Sequence, residues 1–249
     1  MKNNLKNLVK SNFNKVYWIT NPNLINIEII LEKKYFDIFV IDNEHSLISV
    51  EEIRNLIILF NSLSKPIFMR FGRFNISDAP KYLDFGIDGV IASDISNMED
   101  LEYLKRVIYY KNIGDRGVGL GRMNKHGNNF KNYMKLYHKK LVLLPMIEQK
   151  ITKNIIELIF KDEMVDGCLI GPYDLSMSIG KPGNFYSKDF KEIELHIIKM
   201  KNKYKKAAGI HFMEQNISKI KLIKKKGFNF VPILTDVQFF KIGTDKVIA

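Results

Sequence analysis

Eight short apolar runs, each followed by a segment with helical patterning, constrain this chain more than any other feature of its sequence. The runs are Val16–Ile19, Phe36–Asp42, Pro66–Phe71, Gly89–Ala92, Leu141–Ile147, Gly167–Ile170, Ala207–Phe212 and Phe228–Leu234. They are apolar on both faces, as parallel strands covered by helices must be. Between them, apolar residues recur at helical spacing: Met98, Leu101, Leu104 and Ile108 in one segment, Phe190, Ile193, Ile197, Met200 and Tyr204 in another. Ser187 is a good N-cap for the latter, and Gly227 stops a later helix. This alternation is that of a closed α/β (β/α)8 TIM barrel. No linker, repeat or low-complexity stretch divides the chain, so one domain over residues 1–249 is expected. An open doubly wound sheet has the same periodicity and remains the alternative.

No apolar run approaches the roughly 20 residues of a membrane span. Residues 1–14 are polar and rich in Lys and Asn, unlike a secretory signal. The single cysteine, Cys168, excludes an internal disulfide and any Cys-cluster metal site. A cytoplasmic protein with no membrane partner is expected. The net charge of +12 raises the question of nucleic acid, but only six of the 39 basic residues are Arg. Base-specific contacts lean on Arg. The lysines are scattered along helix faces, and Lys224, Lys225 and Lys226 sit where a helix ends, which suits its dipole. No nucleic-acid partner is expected.

In a barrel of this kind, residues at the carboxyl ends of the strands share one rim. The second run ends Asp42-Asn43-Glu44-His45, the third at Arg70, the fifth at Glu148 and the eighth at Thr235-Asp236. The sixth run halts at Gly171-Pro172, and Tyr173 and Asp174 follow at once. Glu148 and Asp174 could supply two oxygens to a hard divalent cation, Mg²⁺ or Mn²⁺, with open positions for water or substrate. Each acid alone reads equally as a helix cap or a solvated carboxylate. His45, with an unperturbed pKa of about 6.5, can move protons at neutral pH or serve as a turn residue. Arg70 offers a rigid donor fork to a carboxylate or enolate oxygen, or a salt bridge to an acid such as Asp84. Of the other histidines, only His211 ends a strand. Between Lys111 and Asn129, five glycines accompany Arg116 and Arg122. Gly117-Val118-Gly119-Leu120-Gly121 looks like a dinucleotide loop but follows a helix rather than a strand. A loop over the barrel mouth, with arginines for an anionic substrate, is the expectation, against a plain surface loop.

In this order, the motifs Phe36-Asp37, Asp42-x-Glu44-His45, Arg70, Arg116-Gly117-Val118-Gly119, Ile147-Glu148, Asp166-Gly167, Gly171-Pro172-Tyr173-Asp174-Leu175-Ser176, Ala208-Gly209-Ile210-His211 and Thr235-Asp236 resemble the HpcH/HpaI type of metal-dependent pyruvate aldolase. The citrate lyase β-subunit fold belongs to the same superfamily. The resemblance runs from about Tyr17 to Phe240. It implies a homo-oligomer, a hexamer or trimer, with exchanged C-terminal helices. It implies a divalent cation (Mg²⁺, Mn²⁺ or Co²⁺) on Glu148 and Asp174, with Asp42 behind them. It implies an aldehyde-lyase that cleaves 4-hydroxy-2-oxo acids, such as 4-hydroxy-2-oxoheptanedioate or a 2-keto-3-deoxy acid, to pyruvate and an aldehyde. In that pattern His45 is the base, hydrogen-bonded to Asp84, and Arg70 holds the keto oxygen. The substrate pocket takes in Trp18, Gly171, Pro172, Tyr173 and Arg116.

The sequence departs from the family pattern in places. Met146 stands where a Gln is common, and Ser93-Asp94 where Pro-Met is common. The tail after Asp236 is short and contains Gly243, so a shortened exchanged helix is expected. A degenerate barrel and a CoA-thioester lyase on the same fold are the competing readings. A Schiff-base aldolase would need a lysine within a strand, and none of the eight runs contains one in its interior.

Overall fold

The computed structural model describes residues 4–111 and 113–248. In chain order the elements are α1 (Leu5–Ser11), β1 (Asn14–Ile19), α2 (Leu24–Glu32), β2 (Ile38–Asp42), α3 (Val50–Ser62), β3 (Ile67–Phe71), α4 (Ala79–Phe85), β4 (Gly89–Ala92) and α5 (Met98–Ile108). They continue with α6 (Phe130–Lys140), β5 (Val142–Ile147), α7 (Lys153–Lys161), β6 (Gly167–Ile170), α8 (Pro172–Ser178), α9 (Lys188–Tyr204), β7 (Ala207–Ile210), α10 (Ile220–Lys226), β8 (Phe230–Pro232) and α11 (Asp236–Ile248). The strands pair in sequence order, all parallel, and β8 pairs back to β1. The barrel is closed, which rules out the open doubly wound sheet.

Each strand alternates between two cores. Val16, Trp18, Ile38, Val40, Phe68, Ile91, Val142, Leu144, Met146, Leu169, Ala207 and Phe230 fill the barrel interior. Their sequence neighbours, among them Tyr17, Phe39, Ile41, Met69, Leu143, Ile147 and Ile170, pack outward under the helices. The period of two along a strand therefore decides which end-of-strand side chains face the axis.

The polar N-terminal segment hides an element that composition conceals. In α1, Leu5 and Val9 are buried and plug the barrel interior at its N-terminal end. Lys6 and Lys10 pair with the fully buried Asp166 at 3.2 and 2.8 Å. Asn229 Nδ2 donates to the Val9 and Lys10 carbonyls, both at 2.9 Å. The floor is thus closed, and only the carboxyl-end mouth is open to chemistry.

The tail is also fuller than its glycine implies. α11 runs as a helix through Gly243, over Asp236–Ile248. Phe239 stacks on Tyr17 at 5.9 Å, while Val237, Phe240, Val247 and Ile248 are exposed. β1 starts early enough to include Lys15, whose ammonium lies over the Tyr35 ring on the outside of the barrel. No helix among the described residues is long and apolar enough to cross a membrane.

Candidate active site

Inward-facing parity carries one side chain from each of several strands to the mouth. Trp18 lies above Val16, Asp42 above Val40, Arg70 above Phe68, Glu148 above Met146, and His211 above Gly209. Asp42 and Arg70 are direct cross-strand partners on β2 and β3. Asp42 is the hub. Its carboxylate accepts from Trp18 Nε1 at 3.1 Å, from Arg70 Nε at 3.0 Å and from Arg70 Nη2. It also accepts from the backbone N–H groups of Glu44 and His45, at 3.0 and 3.1 Å. Burial alone would raise its pKa. The Arg70 charge and hydrogen bonds, with those of the His45 N–H and the Trp18 indole, outweigh that and hold the carboxyl below its usual range.

Arg70 is held on two sides. Its Nη1 lies 3.3 Å from Glu44 Oε2, and Ser93 Oγ donates to Glu44 Oε1 at 2.6 Å. The sequence places Glu44 at the rim without assigning it a role. Its signal was parity, two residues beyond Asp42. Ser93, at a common proline position, is what anchors it. Two of the five guanidinium N–H groups donate to Asp42, and Nη1 is ion-paired with Glu44 without a hydrogen bond.

Glu148 is buried. One oxygen accepts from the Asp94 backbone N–H at 3.2 Å. The other lies where a Cβ on residue 171 would come within 2.6 Å, so Gly171 makes room for it. Burial pushes the Glu148 carboxyl up to about 7, and the charges of Glu44 and Asp174 add to that, against the Asp94 N–H and Arg70. Asp174 lies exposed in the first turn of α8, which Pro172 opens at a position where no N–H is needed. The Gly-Pro that ends β6 therefore starts a helix as well as a turn. Tyr173 is exposed, its ring 5.1 Å from Phe185.

His45 follows these groups at the rim, exposed, with Nε2 3.8 Å from Glu44 Oε2. His211 is half-buried against Trp18, ring centroids 4.9 Å apart, and its Nε2–H donates to the Leu234 carbonyl at 3.0 Å. Burial pushes His211 down to about 4, so its ring is neutral at pH 7. It is a wall of the mouth rather than a proton carrier.

Two expected arrangements are not formed within the single chain. Asp84 does not touch His45. It lies near the end of α4, which runs back toward the start of β4, and Arg116 Nη2 binds it at 2.6 Å. Arg116 is buried on the barrel flank beneath the Tyr110 and Tyr137 rings, 4.5 and 4.8 Å away. The glycine loop does not cover the mouth: a Cβ on Gly119 or Gly121 would meet Asp84. The loop's glycines serve close packing on α4, and Arg122 caps the Phe85 carbonyl at 3.1 Å. Asp236 is also structural. It accepts from Thr20 N, Thr20 Oγ1 and Asn21 N and ties β1 to α11.

Among the described residues, no group of three or more His, Cys, Asp or Glu side chains is set to hold a metal ion. The donors at the mouth are two hard carboxylates, one buried and one at a helix start. That set fits a cation that keeps water or substrate in its remaining positions, as Mg²⁺ does, and does not fit a closed protein cage.

A family model described as HpcH/HpaI aldolase/citrate lyase matches residues 16–240. The chain belongs to the HpcH/HpaI aldolase/citrate lyase family. Among members with assigned activities, it is 30% identical over 222 residues to a hydroxypyruvate/pyruvate aldolase of Roseobacter denitrificans, covering 88% of this chain and 85% of the other. It is 25% identical to a 2-keto-3-deoxy-L-rhamnonate aldolase of Klebsiella pneumoniae over 234 residues, 93% of this chain and 86% of that one. An HpcH/HpaI family structure from Burkholderia cenocepacia superposes with a TM-score of 0.86 at 18% identity, over 99% and 98% of the two chains. Membership and these similarities support a general carbon–carbon lyase or aldolase activity for this HpcH/HpaI chain.

Proposed function

We propose that this protein is a divalent-metal-dependent aldolase that cleaves, or forms, a 4-hydroxy-2-oxo acid from pyruvate and an aldehyde. What supports the reading is the inward-facing Glu148 and doubly held Arg70 at one mouth, with Asp174 in the first turn of the helix after β6 and His45 on the rim. Glu148 and Asp174 would hold Mg²⁺ or Mn²⁺, which supplies Lewis-acid stabilisation of negative charge on a 2-oxo acid.

The chain's own groups account for the rest. In the cleavage direction His45 takes the proton of the 4-hydroxyl. The bond between carbons 3 and 4 breaks, carbon 4 leaves as the aldehyde, and the electron pair passes to carbon 3 and the 2-oxo oxygen. Arg70 donates to that oxygen as its charge grows, and its clamp by Asp42 and Glu44 means no reorganisation is needed at that moment. A proton returned to carbon 3 completes pyruvate. Trp18, Gly171 and Pro172 shape the pocket around the small acid. Met146 cannot replace a glutamine as a hydrogen-bond donor, but it is buried in the apolar interior below Glu148, and the residues named above do not depend on it.

The test is pyruvate release from a panel of 4-hydroxy-2-oxo acids with Mn²⁺ and with EDTA. Turnover that EDTA and Asp174→Ala both abolish is expected. Turnover indifferent to both refutes the ligand assignment, and a folded protein that releases no pyruvate from any member refutes the activity.

A further inference from the structure

A cavity of about 270 Å³ opens between α9 and α10. It meets the mouth at Pro172, Tyr173 and His211, the residues beside Asp174 and Trp18. From there its walls are apolar: Phe185, Phe190, Phe212, Leu222 and Ile223. Phe185 packs between Tyr173 and Phe190, with centroids 5.1 and 5.8 Å away, so the aromatic wall is continuous from the mouth inward. A cavity of roughly 150 Å³ lined by such side chains is enough to take up a benzene.

The charged groups on its walls cancel in pairs. Lys226 Nζ lies 2.9 Å from Glu194 Oε2, and Lys219 Nζ lies 2.5 Å from Glu214 Oε2. Among the described residues, each lysine on the cavity wall is already paired with an acid, leaving none to receive a second carboxylate. A mouth built for an acidic acceptor would need one, because a carboxylate buried without a partner is strongly disfavoured.

We infer that the aldehyde partner carries an uncharged apolar substituent of aryl or medium alkyl size, which seats in this α9–α10 cavity. This rests on the aldolase reading and narrows its substrate class. It disfavours the dicarboxylate product that the family resemblance brings to mind. The bond made is the one already described, between carbon 3 of the pyruvate enolate and the aldehyde carbon, and the substituent takes no part in it.

The experiment measures kcat/KM for condensation of pyruvate with phenylacetaldehyde, acetaldehyde and succinic semialdehyde, with Mn²⁺ present. Leu222 is 55% exposed, so Leu222→Trp and Leu222→Asp can fill or charge the cavity while the fold is kept. Phenylacetaldehyde is expected to exceed both other aldehydes by about tenfold or more, the order of discrimination an apolar pocket reaches. Each variant should shrink the phenylacetaldehyde-to-acetaldehyde ratio at least fivefold, chiefly through KM. Unreactive 2-phenylethanol should compete with phenylacetaldehyde in the parent protein and not in Leu222→Asp.

A preference for succinic semialdehyde, or a ratio unmoved by both variants, overturns the inference while the aldolase reading stands. Absence of condensation with every aldehyde overturns both. If sedimentation shows that the Leu222 variants change the oligomeric state, the cavity is a contact between copies and the inference falls.

Discussion

Removing the Asp42 carboxylate should unfold far more than its single side chain implies. Asp42→Ala strips three side-chain donors of their partner at once: the Trp18 indole N–H and two N–H groups of Arg70. Arg70 is buried and keeps the Glu44 ion pair at 3.3 Å, with the Trp18 ring 5.2 Å away. Breaking a buried ion pair from one side costs about 3–5 kcal/mol, and a stranded buried donor such as the indole about 1–3 more. The retained Glu44 offsets part of this, so a net loss of about 4 kcal/mol is expected. For a chain of this length that lowers Tm by about 8–16 °C. Urea unfolding at pH 7 measures it. The effect carries a pH signature. Asp42's pKa is depressed in the folded state, so its stabilisation is complete above its unfolded pKa of about 4 and disappears as pH falls through the lower folded value. The gap between parent and variant should therefore be wide at pH 7 and narrow below pH 4. Asp42→Asn, which keeps an acceptor oxygen, should fall between them. An Asp42→Ala protein within about 1 kcal/mol of the parent at pH 7 would refute the hub argument, because no relaxation that small re-pairs a buried guanidinium.

Glu148 should behave in the opposite sense. Its carboxyl is raised from 4.5 to about 7, so its ionised form strains the metal-free fold increasingly as pH rises past 4.5 and fully above 7. In EDTA, Glu148→Gln should match the parent at pH 4 and be more stable at pH 8 by up to about 3 kcal/mol, at roughly 1.4 kcal/mol per pKa unit; calorimetry showing an equal difference at both pH values would contradict the burial argument. Gly171→Ala places a Cβ 2.6 Å from Glu148 Oε1, so the carboxylate must move. Thermal stabilisation by Mn²⁺ should be lost with a stability loss of only about 1–3 kcal/mol, and a retained Mn²⁺ shift would remove Glu148 from the ligand set. Leu5→Ala opens the barrel floor and should cost about 2–5 kcal/mol; a Tm unchanged within 1 °C would show that α1 is dispensable.

What the sequence disclosed and what it withheld follow from one distinction. Strand-end chemistry was legible because parity is local. Once Val40 or Met146 is known to face inward, Asp42 and Glu148 must do so two residues later, and the same rule reaches Glu44. The floor helix was also local, since Leu5, Leu8 and Val9 recur at helical spacing, but lysines and asparagines masked it. The glycine loop and Asp84 were different. Nothing within a few residues of Arg116 says that its guanidinium will sit under Tyr137 and bind an acid 32 positions earlier. Such a contact depends on how helices pack around the barrel, which no periodicity encodes. The same limit bears on substrate. The residues to which the proposed function gives the bond-making roles follow strand ends and are legible in the chain. On the inference above, the walls that choose the aldehyde come from Phe185, ahead of α9, and from Phe212 and Leu222, on the crossover from β7 through α10, and are brought together only by closure of the barrel. On the proposed function, reaction class would be set by the strand ends and specificity by the tertiary packing between α9 and α10. Exchanging the segment from Phe212 to Leu222 between two members of the family should accordingly shift aldehyde preference while EDTA sensitivity stays as it was.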